Sequence, residues 1–403
     1  MKAMRTTRVL HIFGSLNRGG IETWLMNILR LGLKNIQFDF YLNTLGGDYE
    51  EEAKSYDCQM YQAPPIRQLS KYLKELGVLI EVNKYDVVHV HGEEFMGDVV
   101  KVARKFDVPV RIAHCHGTQL ARGKKGFLMG LRRLRHRSID RMLIRKHATH
   151  VLACSVDAGR FLMGDSWVSD PRCETLYCGV PLGLFGKTGS SSEKMELRKT
   201  YGIPEDAIVI GHAGSMGPTP VKNHSFIIDV FSELYQSDSR LYLFLAGDGP
   251  DRDIIKAKIN NLGLEKRVIM PGVCHDVPAL MIHVFDVHLL PSLWEGLPIA
   301  GLEAVASGLF TVCSDSITRD YTDAFRQRIK ALSLDEGLTV WAEEVEAGVK
   351  KRMRTEQGAV LIENSQFSIQ SSSSALVKLY LEGGGERLDV YTNGIYVSLT
   401  VYR

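Results

Sequence analysis

Val9–Leu33 reads VLHIFGSLNRGGIETWLMNILRLGL. Val9–Phe13 is a short, largely apolar run and predicts a buried strand. Gly14–Gly20 predicts a loop, and Glu22–Leu33, apolar every three or four residues, predicts a helix. The alternation continues with strands predicted at Phe38–Leu42, Val87–Val90, Val110–Ala113 and His150–Ala153, and helical patterns between most of them. Strands alternating with helices specify βαβ units and a parallel sheet covered on both faces. The pattern lapses at Leu176–Ser192, LYCGVPLGLFGKTGSSS, which predicts a linker. A second series then gives strands at Ala207–Gly211, Leu241–Ala246, Val268–Met270, Val287–Leu290 and Phe310–Cys313, with helices at Ser225–Leu234, Asp251–Leu262 and Ile299–Ala306. The fold class expected is α/β, two Rossmann-like doubly wound domains facing a cleft, over residues 1–186 and 187–365. Residues 366–403 are expected to form a helix and a hairpin that packs back on the first domain, the hairpin signalled by Asn393-Gly394 between two alternating runs. Ligands of such sheets bind at the carboxyl ends of the strands.

Composition narrows the class. The chain has 403 residues, 45% hydrophobic and 24% charged, an ordinary globular balance that excludes a disordered or fibrous protein. A formal charge of +2 gives no reason to expect a nucleic-acid partner. Seven cysteines without CxxC spacing disfavour a disulfide framework or a structural zinc, and suit a reducing cytosol. No apolar run approaches the ~20 residues that span a bilayer. MKAMRTTRVLHIFGSL is basic then apolar, but Gly19-Gly20 follows where a leader would carry a cleavage site, so a first strand explains it better. A cytoplasmic location is expected.

The chemistry concentrates in Pro291–Gly308, PSLWEGLPIAGLEAVASG. Glu295 lies in the loop after a strand, and Pro298 suits the first turn of the following helix. The free N–H groups of that turn form an anion site, and Glu303 falls about one turn further along, where it could accept hydrogen bonds from sugar hydroxyls. Taken alone, the two glutamates read equally well as surface carboxylates complementing the helix dipole. A second constellation, Gly211–His224, GHAGSMGPTPVKNH, places a glycine-rich loop and Lys222 after a strand, where amides and an ammonium can meet a phosphate. Asn223 in it also reads as a helix cap. A third, Leu245–Pro250, LAGDGP, sets glycines at a strand end where backbone can approach a ligand. Gly19-Gly20-Ile21-Glu22 opens the first helix without the GxGxxG spacing of a dinucleotide site. His89-Val90-His91 and His114-Cys115-His116 end two strands, and alternation puts each pair on one face. That spacing suggests a metal, but no acidic or cysteine partner completes the set, and no metal is expected.

EGLPIAGLEA resembles the E-x7-E signature of glycosyltransferase family 4, the retaining nucleotide-sugar transferases of GT-B fold. The resemblance extends over roughly Arg8–Ser316 and is closest to bacterial exopolysaccharide and capsule transferases. It implies Glu295 beside the donor sugar, the segment Gly296, Leu297, Pro298, Ile299 and Ala300 at the diphosphate, and Glu303 on the ribose. It further implies Gly214, Ser215 and Lys222 at the phosphates, Gly247 and Asp248 beside the nucleotide, and Val273 at the base. Gly19 and Gly20 fall beneath the diphosphate and acceptor, with Glu22, His89 and His91 on the acceptor side and His116 closest to the transferred sugar. Where the family's phosphate loop carries an arginine beside the lysine, Ser215 stands here, and an arginine's bidentate contacts are lost with it.

The expected activity is transfer of a hexosyl or N-acetylhexosaminyl group, with retention, from a nucleotide sugar, UDP-linked by expectation, to a glycan or lipid-linked acceptor in cell-surface polysaccharide biosynthesis. Glu295, His116 and Lys222 would be catalytic, and no cofactor is needed. The alternatives are a nucleotide-sugar 2-epimerase of the same architecture and a weakly active nucleotide-sugar or glycan-binding subunit. Ten basic residues between Arg122 and Lys146, opposed only by Asp140 and interleaved with apolar ones, read either as a solvated helix or as a helix lying on anionic lipid.

Overall fold

A computed structural model of the chain describes residues 5–118, 127–185, 190–217, 220–382, 388–392 and 395–399. They form two compact units. One contains the residues to Cys178 together with those from Ile369 onward; the other spans Gly179–Ser368.

The first unit holds a seven-stranded parallel sheet of β1 (Thr7–Phe13), β2 (Ile36–Leu42), β3 (Gln59–Gln62), β4 (Val87–His91), β5 (Val110–Cys115), β6 (His150–Ala153) and β7 (Cys173–Thr175). Its order is β3-β2-β1-β4-β5-β6-β7. The chain winds one way from β1 to β3 and the other way from β4, so the loops after β1 and β4 diverge and leave a crevice between them. The helix Gly20–Arg30 covers one face with Trp24, Leu25 and Ile28, all essentially unexposed. The helix Ile369–Glu382 returns to this unit: Trp24 Nε1 donates to Ser372 Oγ at 3.1 Å, and Leu376 and Tyr380 are buried.

The second unit holds β8 (Ile208–Ala213), β9 (Leu241–Ala246), β10 (Val268–Gly272), β11 (Val287–Leu290), β12 (Thr311–Ser314) and β13 (Ile329–Leu332), in parallel order β10-β9-β8-β11-β12-β13. Alternate residues feed opposite faces: Ile210, Leu243 and Leu289 join Phe231 and Trp341, while Val209, Phe244 and Ala246 join Met281 and Phe285. The crevice of this sheet lies between β8 and β11, the two strands whose loops carry Lys222 and Glu295.

Three edge strands, β3, β7 and β13, have no counterpart among the sequence-predicted strands. Leu388–Thr392 and Ile395–Leu399 pair antiparallel with Thr392 opposite Ile395, as the hairpin signal predicts, although Asn393 and Gly394 themselves lie outside the described residues.

The basic stretch divides. Arg122, Lys124 and Lys125, and the side chains of Arg132, Arg133 and Arg135, lie outside the described residues. Arg141 and Arg145, one turn apart, donate to the carbonyls of Leu162 at 2.5 Å and Met163 at 3.3 Å, and Arg137 also donates to the Phe161 carbonyl. They close the carboxyl end of the helix Val156–Met163, where free carbonyls and the negative dipole end favour cations. Asp140 does not oppose the arginines. It is buried and accepts from Gly97 N at 2.7 Å, near the start of the helix Met96–Lys105.

Candidate active site

At the crevice of the second sheet, Lys222 Nζ lies 2.5 Å from Glu295 Oε1, both side chains largely buried. Ser292 Oγ donates to the same carboxylate oxygen at 2.9 Å. Two backbone ties hold the pair: Leu293 N donates to Val221 O at 2.8 Å, and Glu295 bridges to Ile317. An ammonium and a carboxylate 73 residues apart in sequence are thus brought together by the crossover between β8 and β11.

The glycine loops are built for close approach. Gly247 adopts φ +138°, and a Cβ there would stand 2.1 Å from Gly214 O. A Cβ at Gly214 would stand 2.9 Å from both His212 Nε2 and Lys222 Cγ, so that glycine lets the lysine stem pass over the backbone. Gly214 N donates to Ala246 O and Met216 N to Asp248 O, each at 2.9 Å, which zips the loops after β8 and β9. Met216 is buried and anchors this loop, leaving Ser215 exposed. Asn223 occupies the N-cap of the helix His224–Tyr235 at φ 54° without a side-chain cap bond; its carbonyl receives Phe226 N and Ile227 N.

Pro298 is the N-cap of the helix Ile299–Ala306, one place earlier than its predicted first-turn position, and its carbonyl accepts from Leu302 N at 3.0 Å. The amides of Ile299, Ala300 and Gly301 precede the first intrahelical bond and carry the positive dipole end. Glu303 is half-buried, and burial pushes its carboxyl up to about 7. Burial alone accounts for the rise, because it disfavours the charged form. Leu297 is buried, Gly296 lies in the intervening loop, and Val273 is exposed beyond β10 with Asp248 close to Gly272.

On the first unit, a pocket of about 330 Å³ opens at the carboxyl ends of β1, β2 and β4, lined by Gly14, Asn43, Tyr72, His91 and Glu93 among others. His91 therefore meets a cavity. His89 does not: it has no exposed surface and bonds Tyr380 Oη at 2.7 Å through Nδ1, so it has no face to offer an acceptor. His116 is half-buried, with Nε2 3.0 Å from His91 Nδ1 and Nδ1 3.8 Å from Cys178 Sγ. Burial lowers His116 to about 3, so it is a neutral hydrogen-bonding group. Burial, then the charge of Glu22, raises the Cys178 thiol. Burial raises Glu22 itself to about 7, and its Oε2 lies 2.3 Å from where a Cβ of Gly19 would stand, while Gly20 is exposed. Two sets of histidines, His11 with His89 and His91, and His91 with His114 and His116, bring ring nitrogens within 4.8 Å of one another.

Sequence reasoning missed Ser292, Asn43, Tyr72, Glu93 and Tyr380. Glu93 had a signal, two residues past the strand ending in His91; the others are ordinary residue types made relevant only by packing.

Residues 18–184 match Glycosyltransferase Family 4, and residues 193–357 match Glycosyl transferases group 1. EpsF of Bacillus subtilis (strain 168), named as a glycosyltransferase, is 35% identical over 381 residues, 93% of this chain and 96% of that one. The capsular polysaccharide biosynthesis glycosyltransferase CapH of Staphylococcus aureus is 22% identical over 93% of this chain and 98% of its own length. Among solved structures, Anabaena HepE in complex with UDP superposes with a TM-score of 0.74 at 18% identity, covering 92% of this chain and 99% of that one. WaaG, a glycosyltransferase involved in lipopolysaccharide biosynthesis, gives 0.71 at 17% identity, covering 94% and 100%. Two parallel-sheet units, the paired Lys222 and Glu295 at a strand crevice and these likenesses converge: the chain belongs to glycosyltransferase family 4 and has the GT-B fold.

Proposed function

We propose that this glycosyltransferase moves a sugar from a UDP-sugar to a glycan or lipid-linked acceptor of a cell-surface polysaccharide, with retention at the anomeric carbon. The observation that carries the reading is the Lys222–Glu295 pair beside the free amides of the helix Ile299–Ala306. The relatives support donor and acceptor class: HepE was solved with UDP and with UDP-glucose, CapH is named for capsular polysaccharide biosynthesis, and an Escherichia coli relative 24% identical over 61% of this chain transfers galactose from UDP-Gal to a diphosphoundecaprenol-linked sugar.

As the bond from the anomeric carbon to the diphosphate oxygen breaks, negative charge grows on the diphosphate and positive charge on the sugar ring. Lys222 and the amides of Ile299, Ala300 and Gly301 answer the first charge; Glu295 answers the second. A diphosphate entering here draws Lys222 from Glu295, which frees that carboxylate for the sugar. Neutral His116 holds a sugar hydroxyl. The acceptor hydroxyl attacks on the face the diphosphate leaves, and its proton passes to a phosphate oxygen, so no strong base is required and no metal is placed in the step. Ser215 stands where an arginine would share the phosphate charge, leaving Lys222 and the helix amides to carry it.

Incubation with UDP- and GDP-sugars and a polyprenyl-diphosphate sugar tests this. UDP release that depends on acceptor, with an α-linked product from an α-linked donor, is the expected result. Epimerised nucleotide sugar without glycan product, or binding without turnover, would overturn it in favour of an epimerase or a binding subunit.

A further inference from the structure

Five imidazoles stand together on one face of the first sheet: His11 from β1, His89 and His91 from β4, His114 from β5, and His116 just beyond it. Trp24 and Tyr380 cover them, Tyr380 from the returning helix Ile369–Glu382. Tyr380, His11, His89 and His114 have at most 1% exposure and His91 5%, whereas His116 is half-buried. The ladder therefore has one end at the surface.

The contacts form a continuous chain. His116 Nε2 faces His91 Nδ1 at 3.0 Å, and His91 Nε2 faces His11 Nδ1 at 3.0 Å. His11 Nε2 lies 3.5 Å from Tyr380 Oη, which lies 2.7 Å from His89 Nδ1, and His89 Nε2 faces His114 Nδ1 at 3.1 Å. Each nitrogen pair this close must share one proton, since two lone pairs or two N–H groups facing each other repel. A neutral imidazole carries one proton, so fixing one tautomer fixes its neighbours. Tyr380 has one proton to donate. The separation of 2.7 Å suits an O–H donor and that of 3.5 Å does not, so the hydroxyl donates to His89. The Tyr380 oxygen then turns a lone pair toward His11 Nε2 at 3.5 Å, which favours the proton on that nitrogen, and the two 3.0 Å contacts pass the same choice to His91 and His116, Nε2–H in each.

We infer that Tyr380 is a positioning residue for transfer: acting through His11 and His91, it sets the tautomer of His116, so that His116 Nδ1 is a hydrogen-bond acceptor at the exposed end of the ladder. Nδ1 now faces the Cys178 thiol at 3.8 Å, a weak donor that a sugar hydroxyl can displace. The link from His116 to the sugar rests on the function proposed above; the ladder does not. A metal among these rings is a poorer reading. Cation ligation needs lone pairs converging in the plane of each ring, but the His89 and His91 rings stack at 4.0 Å, and the His114 and His116 rings lie 3.9 Å apart with their planes tilted by 36°.

The test is histidine 15N NMR on the full chain, with tautomers read from long-range proton–nitrogen couplings and resonances assigned by single His→Gln variants. His11, His91 and His116 are expected as Nε2–H in the native protein. His89→Phe leaves the Tyr380 hydroxyl free to donate to His11 and should flip all three to Nδ1–H. Tyr380→Phe, nearly isosteric, should leave them mixed and lower kcat roughly tenfold with donor KM within about twofold, the worth of one hydrogen bond. Nδ1–H on His116 in the native protein, tautomers unmoved in both variants, or stoichiometric Zn(II) binding that abolishes the couplings would each overturn the ladder. Flipped tautomers with unaltered kcat would overturn the role of Tyr380 in transfer. Absence of turnover in the native protein, with the tautomers as expected, would instead count against the activity.

Discussion

Glu303 carries a pH signature. Burial holds its carboxyl up near 7, while a ribose hydroxyl donating to it favours the ionised form. UDP should therefore bind more tightly as pH rises from 6 to 8. Glu303→Gln should remove that component and weaken binding roughly tenfold at the upper end, as loss of a charge-assisted hydrogen bond predicts. Titration calorimetry across that range measures it; an unaltered pH slope in the variant would exclude the ribose contact. A structural prediction sits at Asp286. Its carboxylate accepts from Arg198 Nη2 at 2.7 Å and from Val209 N at 2.8 Å, and Arg198 also donates to the carbonyls of Ala207 and Val284. Asp286→Ala leaves a buried guanidinium without its counter-charge and should cost about 3 kcal/mol in chemical denaturation. A loss below about 1 kcal/mol would show the pair to be solvated.

The glycine loops act as one element. Gly247 at φ +138° lies against Gly214 O, and Gly247 N donates to Gly272 O at 2.9 Å, so the loops after β8, β9 and β10 share one backbone framework. Gly247→Ala must strain or move that framework, at about 1–3 kcal/mol. We expect the thermal stabilisation conferred by UDP to fall sharply while the far-ultraviolet spectrum stays native; full retention would separate the loop from the nucleotide. At this scale the sequence was most readable where an element is long or central. Predicted Leu241–Ala246, Val287–Leu290 and Ile299–Ala306 match the structure residue for residue. Gln59–Gln62 and Cys173–Thr175 escaped because edge strands are short, neighbour one strand only and carry polar residues, so they lack the apolar run that marks a central strand. The placement of Lys222 and Glu295 beside the crevice was legible because each follows a strand that flanks it. The ladder was not: Tyr380 lies 291 residues from the His89 it bonds. Nor was the closure of Val156–Met163 by Arg137, Arg141 and Arg145, which read as a charged surface until the carbonyls they meet were seen.

For the whole molecule, burial makes histidine the acid-labile group. His11, His116 and His288 are held at about 3 and His224 at about 4, against 6.5 when unfolded. The unfolded chain therefore binds protons first, and these residues' contribution, complete above pH 6.5, is lost as pH falls toward 3. Glu22, Glu303 and Asp140, raised to about 7, act in the opposite sense, gaining stability as pH falls from 7 toward their unfolded values of 4.5 and 3.8. Between about pH 6.5 and 4.5 the carboxyls offset the histidines only in part, because His89, His91, His114 and His212 are also held well below 6.5 by burial; below that the histidines dominate, at up to about 1.4 kcal/mol per pH unit each. Melting temperature should fall gently over the first window and steeply below it, whereas a level profile down to pH 3 would show the histidines already charged in the fold. Among the described residues no helix is long and apolar enough to cross a membrane.

The proposed transfer depends on a nucleotide diphosphate seated on the second unit, between Lys222 and the first amides of the helix Ile299–Ala306. A crystal structure of the chain with UDP tests it most directly. Phosphate oxygens are expected within hydrogen-bond distance of Lys222 Nζ and of at least one amide among Ile299, Ala300 and Gly301, with the Lys222–Glu295 contact opened. A diphosphate bound elsewhere, with Lys222 still paired to Glu295, would contradict it.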